Sequence, residues 1–261
     1  MNTDYSIIKY PRTPHLEGSR LQPGDEDLSQ IPFDAIKGKY IMIEEKVDGA
    51  NSAVSFDPKG NLLLQSRGHY LTGGYREKHY DLFKRWANEH RYEFHEVLGC
   101  RYVMYGEWLY AKHSVYYDAL PAYFLEFDIL DRETEQFLDT PSRHELIKYL
   151  PVFSVPVLAK GCFTSREKVI SFLGRSNYIT NEHIEHLRSE SIKLGLDAER
   201  QCRETDASDL MEGIYIKVEE NGYVVDRMKY VRSSFLQTVE VSETSWLQRP
   251  IVPNLLNEMI K

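Results

Sequence analysis

Residues 44–51 read EEKVDGAN, and the reading of this stretch decides how the rest of the chain is understood. YIMIEE (residues 40–45) has the apolar, β-branched character of a buried strand, and NSAVSF (residues 51–56) reads as its neighbour. The Asp48-Gly49 pair between them is a turn former, so Lys46 ends a strand at the edge of a sheet. Shielding from water and neighbouring cations would lower its pKa from about 10.4 and expose a neutral amine, which is a nucleophile. Read alone, a lysine, any residue, then Asp-Gly is also an ordinary hairpin.

Outward from this point the chain alternates short strands with turn signals. Asp57-Pro58-Lys59-Gly60 precedes NLLLQSR, a further strand, and residues 80–98 carry apolar side chains near helical spacing up to Gly99. RYVMYGEW (101–108) and AYFLEFDIL (122–130) read as buried strands. Ser142-x-x-Glu145 and Thr164-x-x-Glu167 resemble capping boxes, and Asn181 is placed to cap a third helix ending near Gly195. GIYIKV and YVVDRMKYV flank Glu219-Glu220-Asn221-Gly222, a hairpin with Asn-Gly at its turn. Residues 10–32, with Pro11, Pro14, Pro23, Pro32, Gly18 and Gly24, read as an irregular lead-in. The expectation is an α+β fold of antiparallel sheets flanked by helices, with a helical insertion at about 140–205. One domain over 1–241 would be followed by a short C-terminal tail, 242–261, part of it helical.

Composition narrows the class. With 261 residues and 42% hydrophobic side chains the chain can bury a sizeable core. No apolar run approaches the roughly 18–20 residues that span a bilayer, and the N-terminus lacks an apolar signal core, so no membrane partner and a cytoplasmic location are expected. Cys100, Cys162 and Cys202 lie far apart and suggest neither a disulfide framework nor a zinc site. The net charge of −8 does not by itself point to nucleic acid. Residues 67–91 are locally basic, however, with Arg67, Arg76, Lys78, Lys84, Arg85 and Arg91 against Glu77, Asp81 and Glu89.

Downstream residues separate the nucleophile from the plain hairpin. Attack on a nucleoside triphosphate needs cations for phosphates, carboxylates for metal and ribose, and a platform for the base. YGEW sets Glu107 at a strand end, FLEFDI offers Phe127 beside Asp128, and MEGIYIKV places Glu212 before a glycine with Lys217 five residues on. Arg227 and Lys229 alternate along one strand and so share a face. Singly, each has a plainer reading: a solvated strand-end acid, a core phenylalanine, a solvated charged face.

The ordered set EKVDG, YGEW, FLEFDI, EGIYIK and DRMKYV resembles the motifs of covalent nucleotidyltransferases, the DNA ligases, RNA ligases and mRNA capping enzymes. Asn51 and the Glu-Gly-x-x-x-Lys form at 212–217 look most like the nick-sealing, double-strand branch of ATP-dependent RNA ligases. The resemblance implies the ATP-grasp-like ligase adenylation fold, with Lys46 attacking ATP to form lysyl-AMP. It also implies that Glu45 sits beside the adenine, Phe127 stacks on it, and Arg67 and Glu107 hold the ribose. Asp48 and Gly49 belong to the nucleotide-binding turn, and Asn51 positions phosphates during sealing. Glu107 and Glu212 would orient hydrated Mg2+ or Mn2+, while Lys217, Arg227 and Lys229 neutralise the α-phosphate.

The implied partners are RNA ends or nicks bearing a 5′-phosphate and a 3′-hydroxyl, single or in a duplex, with an end-processing enzyme to prepare them. Repair of RNA is the implied setting. Lys112 and His113, read either as a solvated loop or as an RNA contact, are further candidates. Two positions depart from the family pattern, Arg227 where a lysine is usual and Ser66 where some relatives carry a base. Only 29 residues follow Arg232. An OB barrel needs roughly 40–60, so the expectation is an RNA ligase without an OB domain rather than a minimal DNA ligase or a guanylyltransferase. A nucleotide- or RNA-binding module that keeps the fold without the chemistry is the alternative of a different class.

Overall fold

A computed structural model describes residues 6–21, 24–25, 27–235 and 249–257. Among them, twelve strands join one sheet: β1 (His15–Leu16), β2 (Gln30–Ile31), β3 (Tyr40–Lys46), β4 (Ala50–Phe56), β5 (Leu62–Ser66), β6 (Tyr102–Trp108), β7 (Phe124–Asp131), β8 (Gln136–Leu138), β9 (Phe153–Ser154), β10 (Val157–Cys162), β11 (Gly213–Glu220) and β12 (Tyr223–Val231). The hydrogen-bonded order is β10-β3-β11-β12-β8-β7-β6-β4-β5, antiparallel throughout, with β1 added parallel to β12 and β9 parallel to β7. Consecutive β3 and β4 do not pair with each other. The turn holding Val47, Asp48 and Gly49 instead carries the chain from one arm of the sheet, where β3 lies on β11, to the other, where β4 lies on β6. The hairpin expected at this turn is therefore a crossing between arms, and the cleft between the arms is where a ligand can sit.

The helices are α1 (Asp81–Glu89), α2 (Arg91–Leu98), α3 (Thr140–Ile147), α4 (Arg166–Ile170), α5 (His183–Lys193) and α6 (Ala198–Arg203). The single helix expected over 80–98 breaks at His90, which closes α1 and opens α2. The break lets Phe83 and Ala87 on one side, and Phe94 and Leu98 on the other, all reach the core formed with Val54, Met104, Phe124 and Ile129. A second core packs β3, β11 and β12 through Ile41, Ile43, Ile214, Ile216 and Met228, with Val169 of α4 against it. A third lies behind the turn, where Val47, Leu109, Tyr117, Leu125, Tyr178 and Val231 meet.

Several boundaries differ from expectation. Helix α3 is capped by Asp139, whose side chain accepts from Ser142 N, so the Ser142 box lies inside the helix. Ser165, one residue after Thr164, caps α4 through Lys168 N, and Thr180 Oγ1 accepts from Glu182 N where Asn181 was expected to cap α5. The segment 140–205 is not purely helical, because β9 and β10 lie within it and β10 extends the sheet beside β3. Part of the lead-in is ordered as β1 and β2 against β12. The helix expected after Ser242 falls largely on 242–248 and 258–261, outside the described residues. Residues 249–257 are extended, bridging Ala111 to Pro253 and Leu120 to Leu256.

Candidate active site

A cavity of about 830 Å3 opens between the two arms of the sheet, and Lys46 stands on its wall. The turn that presents this lysine is fixed from behind. Asp48 Oδ2 accepts from Ser114 N (2.6 Å) and Val115 N (3.1 Å), and Asp48 N donates to Tyr117 Oη (2.8 Å). Gly49 is required by close approach: a Cβ there would lie 2.6 Å from Leu109 Cδ2 and 2.9 Å from the Trp108 carbonyl oxygen. Gly213 is tighter still, since its Cβ would fall 2.0 Å from Tyr230 O and push β11 off β12.

Lys46 Nζ donates to Glu212 Oε2 across 2.6 Å. Burial alone would lower the lysine's pKa, but Glu212, with Glu107 and Asp48 further off, overrides it and raises the pKa above its ordinary value. The neutral amine expected from neighbouring cations is therefore not the resting state here. The surrounding acids carry the matching strain. Burial pushes Glu107 up to about 8, with Glu212 and Asp48 adding to the rise and Lys46 opposing it. Burial likewise raises Glu212 and Asp48, each held down in part by Lys46.

Three carboxyl groups crowd one lysine, and the crowding is relieved either by Glu107 keeping its proton or by a bound cation. Among the described residues no group of three or more His, Cys, Asp or Glu converges closely enough to hold a metal directly. Glu107 and Glu212, both on the cavity wall, instead suit an ion that keeps most of its waters.

The other sequence candidates divide. Glu45, Asp48, Gly49, Asn51, Arg67, Glu107, Phe127, Glu212 and Lys229 all line the cavity with Lys46. Asn51 lies opposite Glu107 in the β4–β6 ladder, and its buried Oδ1 accepts no hydrogen bond from the described residues. Glu45 is committed elsewhere as well: its carboxylate accepts from Ser176 Oγ (2.5 Å), Asn177 N (3.1 Å) and Asn177 Nδ2 (2.7 Å), while burial raises its pKa. Phe127 meets Tyr10 edge-on, ring centres 5.0 Å apart, so a second aromatic ring, from the lead-in, stands beside it on the cavity wall.

Lys217 and Arg227 do not line the cavity. Lys217 is fully buried, 2.9 Å from Glu44 Oε2 and 3.0 Å from Asp128 Oδ1, and donates to Phe127 O. Arg227 lies 3.3 Å from Asp128 Oδ2 with its guanidinium 3.9 Å over the Phe137 ring. Arg143 completes this layer through Glu44 and Glu126. With three acids and three bases the layer is neutral, and Glu44 carries it to the cavity wall, so Lys217 and Arg227, expected at the phosphate, are engaged in this layer in the structure rather than on that wall.

Lys229 alone of these β12 cations reaches the cavity wall, and there it pairs with Asp25, which is also 3.3 Å from His15 Nε2 and from the Arg12 guanidinium. Burial and the nearby Lys46 lower the pKa of Lys229, and Asp25 offsets part of that fall. Of the basic run at 67–91, Arg67 faces the cavity, whereas Lys84 is paired with Glu77 at 2.7 Å. Tyr10, Thr13, His69, Tyr80, Val155 and Tyr215 also line the cavity and were not singled out from sequence. Tyr10 and Thr13 sit in a proline-rich stretch with no periodicity to flag them.

A lysine at a strand end, facing a nucleotide-sized cleft between two sheet arms with acids beneath it, defines the nucleotidyltransferase fold. Residues 39–231 match the RNA ligase family model, and the chain belongs to that family. Its fold is also similar to solved structures. A mutant Naegleria gruberi RNA ligase with AMP and Mn superposes with a TM-score of 0.54 at 16% identity, over 88% of this chain and 57% of that one. The Naegleria gruberi RNA ligase with PPi gives 0.52 at 16% identity, over 90% and 59%. An archaeal ATP-dependent RNA ligase gives 0.50 at 17% identity, over 87% and 49%. At such identities the shared property is the fold, and the chain spans less than three fifths of the length of each. A search of curated protein sequences returns no match. Among the described residues no helix is long and apolar enough to cross a membrane.

Proposed function

We propose that this chain is an ATP-dependent RNA ligase that carries AMP on Lys46 and seals a 5′-phosphate to a 3′-hydroxyl. The observation that carries the reading is the Lys46 ammonium on the wall of a nucleotide-sized cavity, with Glu107, Glu212 and Lys229 sharing that wall.

In the first step Lys46 Nζ gives up its proton, forms a bond to the α-phosphorus of ATP, and the bond from that phosphorus to the bridging oxygen breaks to release pyrophosphate. The Lys46–Glu212 contact favours the charged amine, so it must loosen as the triphosphate arrives. Lys229 faces the α-phosphate, Arg67 and Glu107 the ribose, and Phe127 with Tyr10 the adenine. Glu107 and Glu212 would hold a hydrated Mg2+ or Mn2+, which supplies charge neutralisation at the phosphates. An oxygen of the strand's 5′-phosphate then attacks the AMP phosphorus, the P–N bond breaks and Lys46 regains a proton. Finally the 3′-hydroxyl attacks the 5′-phosphate, AMP leaves, and Asn51 positions the reacting phosphates. A nick in duplex RNA is the expected substrate, with RNA repair as the setting and an end-processing enzyme supplying the ends.

The test is incubation with ATP or GTP labelled at the α-phosphate, with Mg2+ or Mn2+, on protein first stripped of bound AMP. Label from ATP that is absent in Lys46→Ala supports the reading, and transfer to nicked RNA rather than nicked DNA completes it. Label from GTP alone would make the chain a capping-type enzyme, and no label from either would make it a binding module.

A further inference from the structure

Beside the nucleotide cavity lies a second cleft of about 230 Å3, and His113 lines both. Its walls come from parts of the chain far apart in sequence: Lys112 and His113 after β6, residues 196–204 at α6, and Arg249, Pro250 and Val252 near the C-terminal end. Lys112 N donates to Val252 O (2.8 Å), which ties the first of these to the last.

The charged side chains that meet there are three cations and two acids. Lys112, Arg200 and Arg249 face Asp197 and Glu204. Asp197 Oδ1 accepts from Arg200 N (2.9 Å) as the cap of α6, and Glu204 Oε1 accepts from Arg200 Nε (2.9 Å). Lys112 is served differently. Its half-buried Nζ donates to two backbone carbonyls, His113 O (3.1 Å) and Glu204 O (3.4 Å), and among the described residues no carboxylate lies within ion-pair distance. A partly desolvated ammonium held by carbonyl dipoles, with Asp48 and Glu204 attracting it only from beyond ion-pair distance, is incompletely compensated, and an entering anion relieves that cost. The titration behaviour agrees: burial brings Lys112 down to about 8, opposed by Asp48 and Glu204 and helped by Arg249, and burial lowers Arg249 as well, with Glu204 opposing and Arg200 adding to the fall. Burial also holds His113 down to about 4, so the shared wall is a neutral imidazole at neutral pH.

We propose that this cleft is a phosphate-binding subsite next to the AMP site, in which Lys112, Arg200 and Arg249 receive a phosphate group. The proposal rests on the reading of Lys46 as the AMP carrier, because that chemistry brings two phosphates to this wall. One is the 5′-phosphate of the strand, which must approach lysyl-AMP. The other is the pyrophosphate that leaves when lysyl-AMP forms. Both are dianionic or more, and a forked guanidinium with an ammonium suits either.

The experiment uses the full chain with Lys112→Gln, which keeps a hydrogen-bond donor and removes the charge, and Arg249→Gln separately. Each is assayed for lysyl-AMP formation from ATP, for ATP–pyrophosphate exchange, and for AMP transfer from pre-labelled enzyme to a nicked RNA duplex with a 5′-phosphate. A fall in transfer at least tenfold larger than the fall in lysyl-AMP formation assigns the cleft to the strand's phosphate. A rise of at least tenfold in the KM for pyrophosphate, with transfer changing less, assigns it to the leaving group. All three activities within twofold of the wild type in both variants overturn the proposal. So does an equal loss at every step in Lys112→Gln with Arg249→Gln unaffected, which would mark Lys112 as a structural staple. A wild-type chain that forms no lysyl-AMP refutes the reading of Lys46, and with it the proposal that rests on it.

Discussion

Lys46 Nζ and Glu212 Oε2 lie 2.6 Å apart, joining the last residue of β3 to the residue just before β11. The register explains the meeting: Lys46 is the Cα partner of Gly213, so Glu212 sits one step beyond the ladder and turns into the cavity. This contact favours the protonated lysine, and the proposed attack on ATP would require that it be given up.

Replacing Glu212 therefore tests two opposed effects. Removing the carboxylate lowers the Lys46 pKa and by itself would speed attack. Its loss also removes a phosphate- and metal-facing acid, which we expect to dominate. Lysyl-AMP formation in Glu212→Ala should fall about a hundredfold or more, on the scale of losing one preorganised electrostatic group. A variant that labels within a few-fold of the wild type would take Glu212 out of the reaction.

Glu107 links the site to pH-dependent stability. Its pKa rises from 4.5 to about 8 in the fold, so the folded chain keeps a proton that the unfolded chain has lost. Between those values stability falls as pH rises. Glu107→Gln cannot lose that proton, and should be more stable than the wild type above pH 8 by on the order of 1–2 kcal/mol, once solvent access from the cavity is allowed for. Melting temperatures at pH 5 and pH 9 check this: the gap should open only at the higher pH, and an equal gap at both would mean that Glu107 is ionised in the fold throughout.

Lys217 should behave as a structural residue. Lys217→Met leaves Glu44 and Asp128 facing each other without their shared cation, a loss of about 3–5 kcal/mol for a broken buried pair. Urea denaturation reads it directly. A variant of normal stability whose KM for ATP is raised would return Lys217 to the phosphate site.

Asp25 holds Lys229 from a segment that precedes the family-matched residues. Asp25→Asn should slow lysyl-AMP formation roughly tenfold, the scale of a partly buried charge contact. Asp25→Glu should recover part of the rate. Unchanged rates in Asp25→Asn would show that Lys229 needs no carboxylate to hold its place.

What the sequence determined by itself was the longer strands and the principal charged side chains on the cavity wall. Lys46, Glu107, Glu212 and Lys229 were legible because a charged residue at the end of an apolar strand is a local signal, and the strand period fixes which face it takes. The β11–β12 hairpin was legible for the same reason, with Asn221 and Gly222 both at positive φ in its turn. Local pattern could not say what each side chain would meet. Lys217 and Lys229 look alike in sequence, yet one lies between Glu44 and Asp128 in the buried layer and the other faces the cavity beside Asp25. Nor could it show that Ser176 and Asn177 hold Glu45, or that Tyr10 stands beside Phe127 on the cavity wall. Those relationships join residues far apart in the sequence, and a charge or ring takes its role from the partner that the long-range fold brings to it, which only the tertiary structure decides.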